Sequence, residues 1–310
     1  MKRNVLAALL IGLAAIAAQA APLIPKDPGP ETAVPALRPY LVQIATPNVD
    51  AAEKWYRDNL GFAAKSRMEN EDRSLRIVFL ERDGVLLEMV QDKDLVSPLS
   101  LKPEVTDRSL FQGMVKLSFE TPDIGAATAR LKANGVRFRM DVTVNAASKD
   151  KFNLFYDGDG NLVQFIQKSS TPPGSPLRPC VFAILVPDVA AAARWYAALL
   201  GFTPGPTYGD DNLKVIFLTL GDFKLELVQD KRSVSPEALK PGLDPLKVQG
   251  FTKIGFLAAG FDPLAQALKN AGVRVKYDVI EDKEFDTRFM IITDLNGLSV
   301  QLFGKPIRFR

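Results

Sequence analysis

The chain has 310 residues, of which 47% are apolar and 24% charged, a composition typical of a soluble globular protein of about two domains. It contains no histidine and one cysteine, Cys180. These counts exclude a Ser-His-Asp triad, a histidine-based or cysteine-rich zinc site and an internal disulfide. Any chemistry must therefore use carboxylates, lysine, arginine, tyrosine and amides.

The first 20 residues have the pattern of a secretory signal peptide. Lys2 and Arg3 precede an apolar stretch over residues 5–18, and a small-x-small cleavage site ends at Ala20. The stretch is short for a membrane span, and no cysteine follows the cleavage site to carry a lipid. We therefore expect an exported protein, periplasmic or secreted, without a membrane anchor.

Charge is balanced in the remainder of the chain. Without Lys2 and Arg3 there are 37 basic and 36 acidic residues, and no long basic run occurs. Nucleic acid is therefore a poor candidate partner.

Two segments rich in proline and serine divide the chain after the signal peptide. The first is a predicted tether, and the second is a predicted linker between two longer stretches. The predicted organisation is a signal peptide 1–20, a tether 21–37, a first domain 38–168, a linker 169–178 and a second domain 179–310.

The two long stretches are homologous repeats, with segments that recur about 137 to 140 residues apart. Residues 48–62, which include Trp55 and Tyr56, match residues 188–202. The segment 87–93 likewise matches 225–231. Two similar halves follow from this pattern.

Each half divides again into two units in which a strand is followed by a helix and then by further strands. In the first unit Asn48 is a suitable N-cap and Gly61 a suitable helix end. The pattern predicts α+β units with one helix packed on one sheet face. The strands predicted in the first half are 41–45, 75–81, 85–91, 114–119, 136–143, 151–156 and 161–167.

Three motifs together resemble the vicinal oxygen chelate superfamily. They are the helix with Trp-Tyr-x4-Gly-Phe, an apolar strand that carries one glutamate, and the segment 157–164. The superfamily includes glyoxalase I, extradiol dioxygenases and the bleomycin-resistance proteins. The resemblance implies four βαβββ modules paired into two cups, one cup per half.

Members that use a metal take its ligands from the first and last strands of each module. By this resemblance, the first-strand positions hold residues that are poor metal ligands. The first-strand positions are Leu41, Met114, Val181 and Phe251. The last-strand positions are Glu88, Gln164, Glu226 and Gln301. We therefore predict no metal site and no cofactor.

Strand parity indicates what lines the cups instead, because residues two apart share one face of a strand. Met114, Lys116 and Ser118 should face the same way. The predicted wall of the first cup is Glu88, Lys116 and Gln164. Gln43 adds a further polar side chain at the place where the second half has Ala183. The predicted wall of the second cup is Glu226, Lys253 and Gln301. Either a structural ion pair or a ligand anchor agrees with these sets, and we favour the first cup as the functional one.

Other conspicuous residues are predicted to be structural. Trp55, Tyr56 and their repeats lie on helices and should pack against the sheet. Asp157 to Asn161 has the opening spacing of an EF-hand but lacks its closing glutamate, so we predict a tight turn. Cys180 lies in an apolar strand and should be buried.

The leading functional prediction is a protein that binds a small, partly apolar molecule in a metal-free cup. An alternative is a metal-independent isomerase or lyase in which Glu88 and Lys116 are the catalytic acid/base pair. The remaining residues of the set, Gln43, Gln164, Glu226, Lys253 and Gln301, would then bind the ligand. A metal-dependent lyase or dioxygenase is disfavoured by the missing histidines, and an interaction role with two degenerate cups stays open. A monomer is expected because four modules can satisfy one another.

Overall fold

The computed structural model describes residues 36–309, so the predicted signal peptide and most of the predicted tether lie outside the described residues. Within these residues, sixteen strands and four of the six helices form four βαβββ modules, which confirms the predicted fold class. Module 1 contains β1 (Leu37–Ala45), α1 (Val49–Leu60), β2 (Ala63–Glu69), β3 (Leu75–Arg82) and β4 (Val85–Asp92). Module 2 contains β5 (Gly113–Glu120), α3 (Ile124–Ala133), β6 (Phe138–Val144), β7 (Lys151–Tyr156) and β8 (Leu162–Gln167).

The second half repeats this order. Module 3 contains β9 (Arg178–Leu185), α4 (Val189–Leu200), β10 (Thr203–Gly209), β11 (Leu213–Leu220) and β12 (Phe223–Asp230). Module 4 contains β13 (Gly250–Ala258), α6 (Phe261–Asn270), β14 (Val275–Asp282), β15 (Thr287–Thr293) and β16 (Ser299–Phe303). One-turn helices α2 (Pro98–Leu101) and α5 (Pro236–Leu239) lie in the connections after modules 1 and 3.

The helix boundaries agree with the sequence signals. The Asn48 side chain accepts a hydrogen bond from the Ala51 amide at the start of α1. The helix ends at Gly61, whose φ of 69° is the left-handed conformation that glycine adopts without a Cβ clash. Strand β2 was not predicted, because most of its side chains are exposed and give no buried alternation.

The helix-side core joins the two modules within each half. The Tyr56 hydroxyl, on α1 of module 1, donates to Asp157 of module 2 at 2.9 Å, and Tyr196 donates to Asp294 at the same distance in the second half. Both tyrosines are buried, which confirms their predicted packing role. Asp157 also accepts from the Asn161 amide at 2.8 Å, so its segment is the predicted tight turn.

The sheet pairs modules across the two halves. Strand β1 runs antiparallel to β13, which pairs module 1 with module 4. Strand β5 runs antiparallel to β9, which pairs module 2 with module 3. The two pairs meet where β5 and β13 share one bridge, Met114 with Phe251. Four modules do form two cups, but the prediction that each half builds its own cup is wrong. We call them cup 1/4 and cup 2/3 after their modules.

Two connecting segments cross between the halves. Val96, after module 1, bridges Val248, and Phe111 bridges Val234. The Val96 carbonyl also accepts from the Gln249 amide at 2.9 Å. Each half therefore contributes a connection that is held by the other half. Among residues 36–309, no helix is long and apolar enough to cross a membrane.

Cys180 is buried on β9, as predicted, and burial raises the pKa of its thiol to about 12. At pH 8 almost no reactive thiolate is present in the native state. We expect iodoacetamide to alkylate the native protein at least about 100-fold more slowly than the denatured protein. Alkylation rates followed by mass spectrometry with and without denaturant check this, and equal rates would contradict the burial of the thiol.

Candidate functional site

Each cup holds one ion pair, and each pair joins the two halves of the chain. In cup 1/4 the Lys253 Nζ lies 2.7 Å from Glu88 Oε2. In cup 2/3 the Lys116 Nζ lies 2.6 Å from Glu226 Oε2. The predicted acid/base pair of Glu88 and Lys116 is therefore wrong, because these two residues line different cups.

Strand register explains how the pair in cup 2/3 is placed. Glu226 on β12 has Phe217 as its neighbour on β11 and Ala183 as its neighbour on β9. Ala183 is in turn the neighbour of Lys116 on β5. Directly paired residues lie on one face of a sheet, so these four side chains form a row across the cup.

Cup 1/4 has the matching row, built from corresponding positions. Glu88 neighbours both Phe79 and Gln43, and Gln43 neighbours Lys253. The centre of the row is therefore Gln43 in cup 1/4 and the smaller Ala183 in cup 2/3. Ala183 leaves more room between lysine and glutamate than Gln43 does.

Strands β5 and β13, the first strands of modules 2 and 4, each contain a β-bulge. The bulge changes the face of the sheet on which Met114 lies in β5 and Phe251 lies in β13. The register shifts between Met114 and Lys116, and a matching shift occurs in the pairing of β1 with β13. Met114 and Phe251 consequently pack in the helix-side core, so the prediction that Met114 shares a face with Lys116 is wrong. Ser118 does share that face, since its hydroxyl donates to Gln164 Oε1 at 2.8 Å.

Cup 1/4 is filled by its own side chains. A separate apolar cluster occupies it, and its members come from modules 1 and 4 and from the segment that follows β16. The Lys253 and Glu88 side chains below it are only 5% and 3% exposed. The aromatic members of the cluster are Tyr40, Phe79, Phe285, Phe289 and Phe303.

The C-terminal segment, residues 304–309, closes cup 1/4. The Ile307 amide donates to the Tyr40 hydroxyl at 2.7 Å, and Ile307 is buried in the apolar cluster. The Phe309 ring lies 5.4 Å from that of Phe79 and 5.9 Å from that of Phe285. This segment was not assigned a role from the sequence. It packs on the apolar cluster that occupies cup 1/4.

No segment of residues 36–309 covers cup 2/3 in this way. Phe217 and Val215, two residues before it on β11, remain partly exposed, whereas the equivalent Phe79 and Ile77 of cup 1/4 are buried. The side chains of Lys116 and Glu226 are 11% and 18% exposed, against 5% and 3% for Lys253 and Glu88 in cup 1/4.

One loop accounts for part of this difference. The β14–β15 loop of module 4 inserts Phe285 into its cup, next to Asp286, a residue with positive φ. The β6–β7 loop of module 2 has Ser148 at the matching place, next to Lys149, which also has positive φ. Ser148 is exposed and fills nothing.

Unused hydrogen-bond donors lie at the centre of cup 2/3. Lys116 carries three N–H groups and donates one to Glu226 at 2.6 Å. Gln164 accepts from Ser118 through Oε1, and its Nε2 makes no hydrogen bond with any residue that the structure describes. The site thus offers two kinds of N–H donor beside an apolar wall. Such a site can hold an oxygen acceptor on an otherwise apolar molecule.

The donor set does not fit a catalytic divalent metal. Within residues 36–309 no group of three or more carboxylate or thiol side chains is arranged to hold a metal ion. At the centre of each cup the single carboxylate already contacts a lysine ammonium. A cation would have to displace that ammonium and bind with one strong ligand.

The fold and the tandem modules define a known class of protein. The model of the Glyoxalase/Bleomycin resistance protein/Dioxygenase superfamily matches residues 39–165 and 180–302. The chain therefore belongs to this superfamily, which confirms the resemblance seen in its motifs.

Solved structures show the same fold at low sequence identity. Glyoxalase I from Zea mays is 16% identical, with a TM-score of 0.63, and the match covers 86% of this chain and 92% of that one. A putative dioxygenase from Bacillus subtilis is 12% identical, with a TM-score of 0.64 and coverage of 89% and 88%. A search of curated proteins finds no match.

Proposed function

We propose that the protein is exported and binds one small, partly apolar molecule in cup 2/3 without a metal. The observation that carries this proposal is the contrast between two homologous cups, one filled by its own chain and one open around the same lysine–glutamate pair. The open cup combines half-exposed Phe217 and Val215 with the unused donors of Lys116 and Gln164. An apolar body with a carbonyl, hydroxyl or carboxylate oxygen matches that lining.

Binding is favoured over acid/base catalysis by the state of the carboxylates. Glu88 is buried against Lys253 in the filled cup, where it cannot reach a substrate. Glu226 is engaged by Lys116 at 2.6 Å. Membership of the superfamily is compatible with both functions, so the preference for binding rests on the geometry of the cups.

The predicted signal peptide supports export to the periplasm or the medium, and its removal leaves a chain that begins near Ala21. The intact mass of the secreted protein measures this directly. A mass that includes residues 1–20 would contradict export by this route.

Native mass spectrometry of the protein purified from the export compartment, with elemental analysis of the same sample, tests the binding proposal. We expect about one small organic molecule per chain and no stoichiometric divalent metal. Lys116→Met should lower its affinity about tenfold or more, because a hydrogen bond from a charged group is lost. A stoichiometric metal, or the absence of any retained molecule, would contradict the proposal.

The matched control is Lys276→Met. Lys276 is also a partly buried lysine, 3.1 Å from Asp244, but it belongs to module 4 and lies outside cup 2/3. This variant should retain the molecule as the wild type does. Equal loss in both variants would mean that binding does not depend on cup 2/3.

A further inference from the structure

A cavity lies where the two module pairs meet, outside both cups. Its volume is about 80 Å³, several times the 10 to 15 Å³ that about one water molecule requires. We call it the axial cavity. Its wall is largely apolar and includes Phe111, Met114, Phe251 and Leu298, which come from modules 2 and 4 and the connection before module 2.

Residues that line the axial cavity carry half of the unsatisfied buried polar atoms found among residues 36–309. Six buried side-chain nitrogen or oxygen atoms lack a hydrogen bond in that part of the chain, and two of them, on Glu88 and Arg288, lie in ion pairs instead. Of the other four, three belong to residues that line this cavity, namely Arg108 Nε, Thr252 Oγ1 and Asn296 Nδ2. Buried polar groups in folded proteins normally have partners, so the junction beneath the apolar wall is unusually polar and Arg108 is not fully hydrogen-bonded there.

Arg108 gives the cavity an uncompensated positive charge. Its Nη1 donates to the Asp159 carbonyl at 2.7 Å, and no carboxylate of the described residues forms an ion pair with it. Burial lowers the pKa of this guanidinium, and the more distant charges of Asp157 and Asp159 only partly oppose that effect. Asp107 also lines the cavity, but its carboxylate is paired with Arg139 at 3.0 Å.

The charge is not a consequence of the repeat. Asp107 and Asp244 each cap a short 3-10 turn at corresponding places in the two halves. The next residue is Arg108 in the first half and Pro245 in the second. The positive charge is therefore present on one side of the junction and absent at the corresponding place on the other side.

We propose that the axial cavity binds a small organic monocarboxylate, with its carboxylate on the Arg108 guanidinium and its apolar body against Met114 and Phe251. A guanidinium binds a carboxylate through paired, charge-assisted hydrogen bonds. The Arg108 Nη2, which makes no hydrogen bond with any residue among 36–309, would supply one of them. The binding site is independent of the one in cup 2/3.

Isothermal titration calorimetry with benzoate tests this proposal on the full mature chain. Because benzoate also matches the lining of cup 2/3, the titration uses the Lys116→Met variant. In this variant we expect one benzoate per chain, and at least about tenfold weaker binding of benzamide, which has the same shape without the charge. Arg108→Gln should weaken benzoate at least tenfold, and Arg108→Lys should recover part of the affinity by restoring the charge. Circular dichroism and thermal melting verify that the variants are folded.

Two control variants locate the effect. Arg130 also donates to a backbone carbonyl, that of Asn59 at 3.1 Å, but it lies outside the cavity, so Arg130→Gln should bind benzoate normally. The binding that depends on Arg108 should be the same in the wild type and in Lys116→Met. In crystals soaked with 4-bromobenzoate, an anomalous bromine signal should lie beside Met114 and Phe251. Absence of benzoate binding, equal binding by Arg108→Gln, or a bromine signal in cup 2/3 alone would overturn the proposal.

Discussion

Replacing Lys253 by methionine is expected to lower the free energy of unfolding by about 3 to 5 kcal/mol. The Lys253 and Glu88 side chains are 5% and 3% exposed, and their charged atoms lie 2.7 Å apart. Removal of the ammonium leaves the Glu88 carboxylate buried without its counter-charge, which is the costly half of breaking a buried ion pair. Equilibrium denaturation by urea measures the loss.

Two further variants separate this explanation from simple damage to packing. Lys253→Met combined with Glu88→Gln should recover much of the lost stability, since no buried charge remains. Lys116→Met, in the more exposed pair of cup 2/3, should cost only about 1 kcal/mol. A double variant no more stable than Lys253→Met alone would contradict the account.

Deletion of residues 305–310 is expected to lower stability by about 3 kcal/mol and to open cup 1/4. The deletion removes Ile307, which is buried in the cup, and Phe309, which packs on Phe79 and Phe285. Urea denaturation measures the stability, and binding of a fluorescent apolar dye reports the exposed cup.

Single substitutions in the same segment provide the comparison. Ile307→Ala should account for about 2 kcal/mol of the loss. Arg308→Ala should have little effect, because the Arg308 side chain is 78% exposed and its ion pair with Asp286, at 3.5 Å, lies on the surface. Unchanged stability and no dye binding after deletion would show that this segment does not fill the cup.

The modular fold could be predicted because the determining signals are local. Helix α1 has its N-cap at Asn48 and its stop at Gly61, and the same signals recur at Asp188 and Gly201. Repetition of these signals identified the halves and the modules. Strand β10, with Pro204 and Pro206, shows the limit of such signals, since proline is unusual inside a strand.

The pairing of modules could not be predicted in the same way. All four modules present similar first strands, so local sequence does not say whether β1 pairs with β5 or with β13. The length of the connections between modules was the one feature of the sequence that indicated which modules pair. Modules 2 and 3 are joined by the short segment 168–177, while about twice as many residues separate module 1 from module 2. Neighbouring modules with a short connection are expected to pair.

The residues that line the cups were predictable, but which of them share one cup was not. Strand alternation placed Lys116, Gln164 and Glu226 toward a cup interior, and they do lie around cup 2/3. Gln43, Glu88, Lys253 and Gln301 instead line the filled cup. The filling depends on Phe285 and on the C-terminal segment, neither of which has an apolar counterpart in the first half. We propose a site shared between the halves in place of the predicted functional cup of the first half.

The most direct test of the crosswise cups is a pair of double-mutant cycles on Lys116, measured by urea denaturation. The first cycle combines Lys116→Met with Glu226→Gln, and the second combines it with Glu88→Gln. We predict a coupling energy of about 1 kcal/mol between Lys116 and Glu226 and less than about 0.5 kcal/mol between Lys116 and Glu88. The reverse result, with Lys116 coupled to Glu88 and not to Glu226, would contradict the crosswise pairing and the binding site built on it.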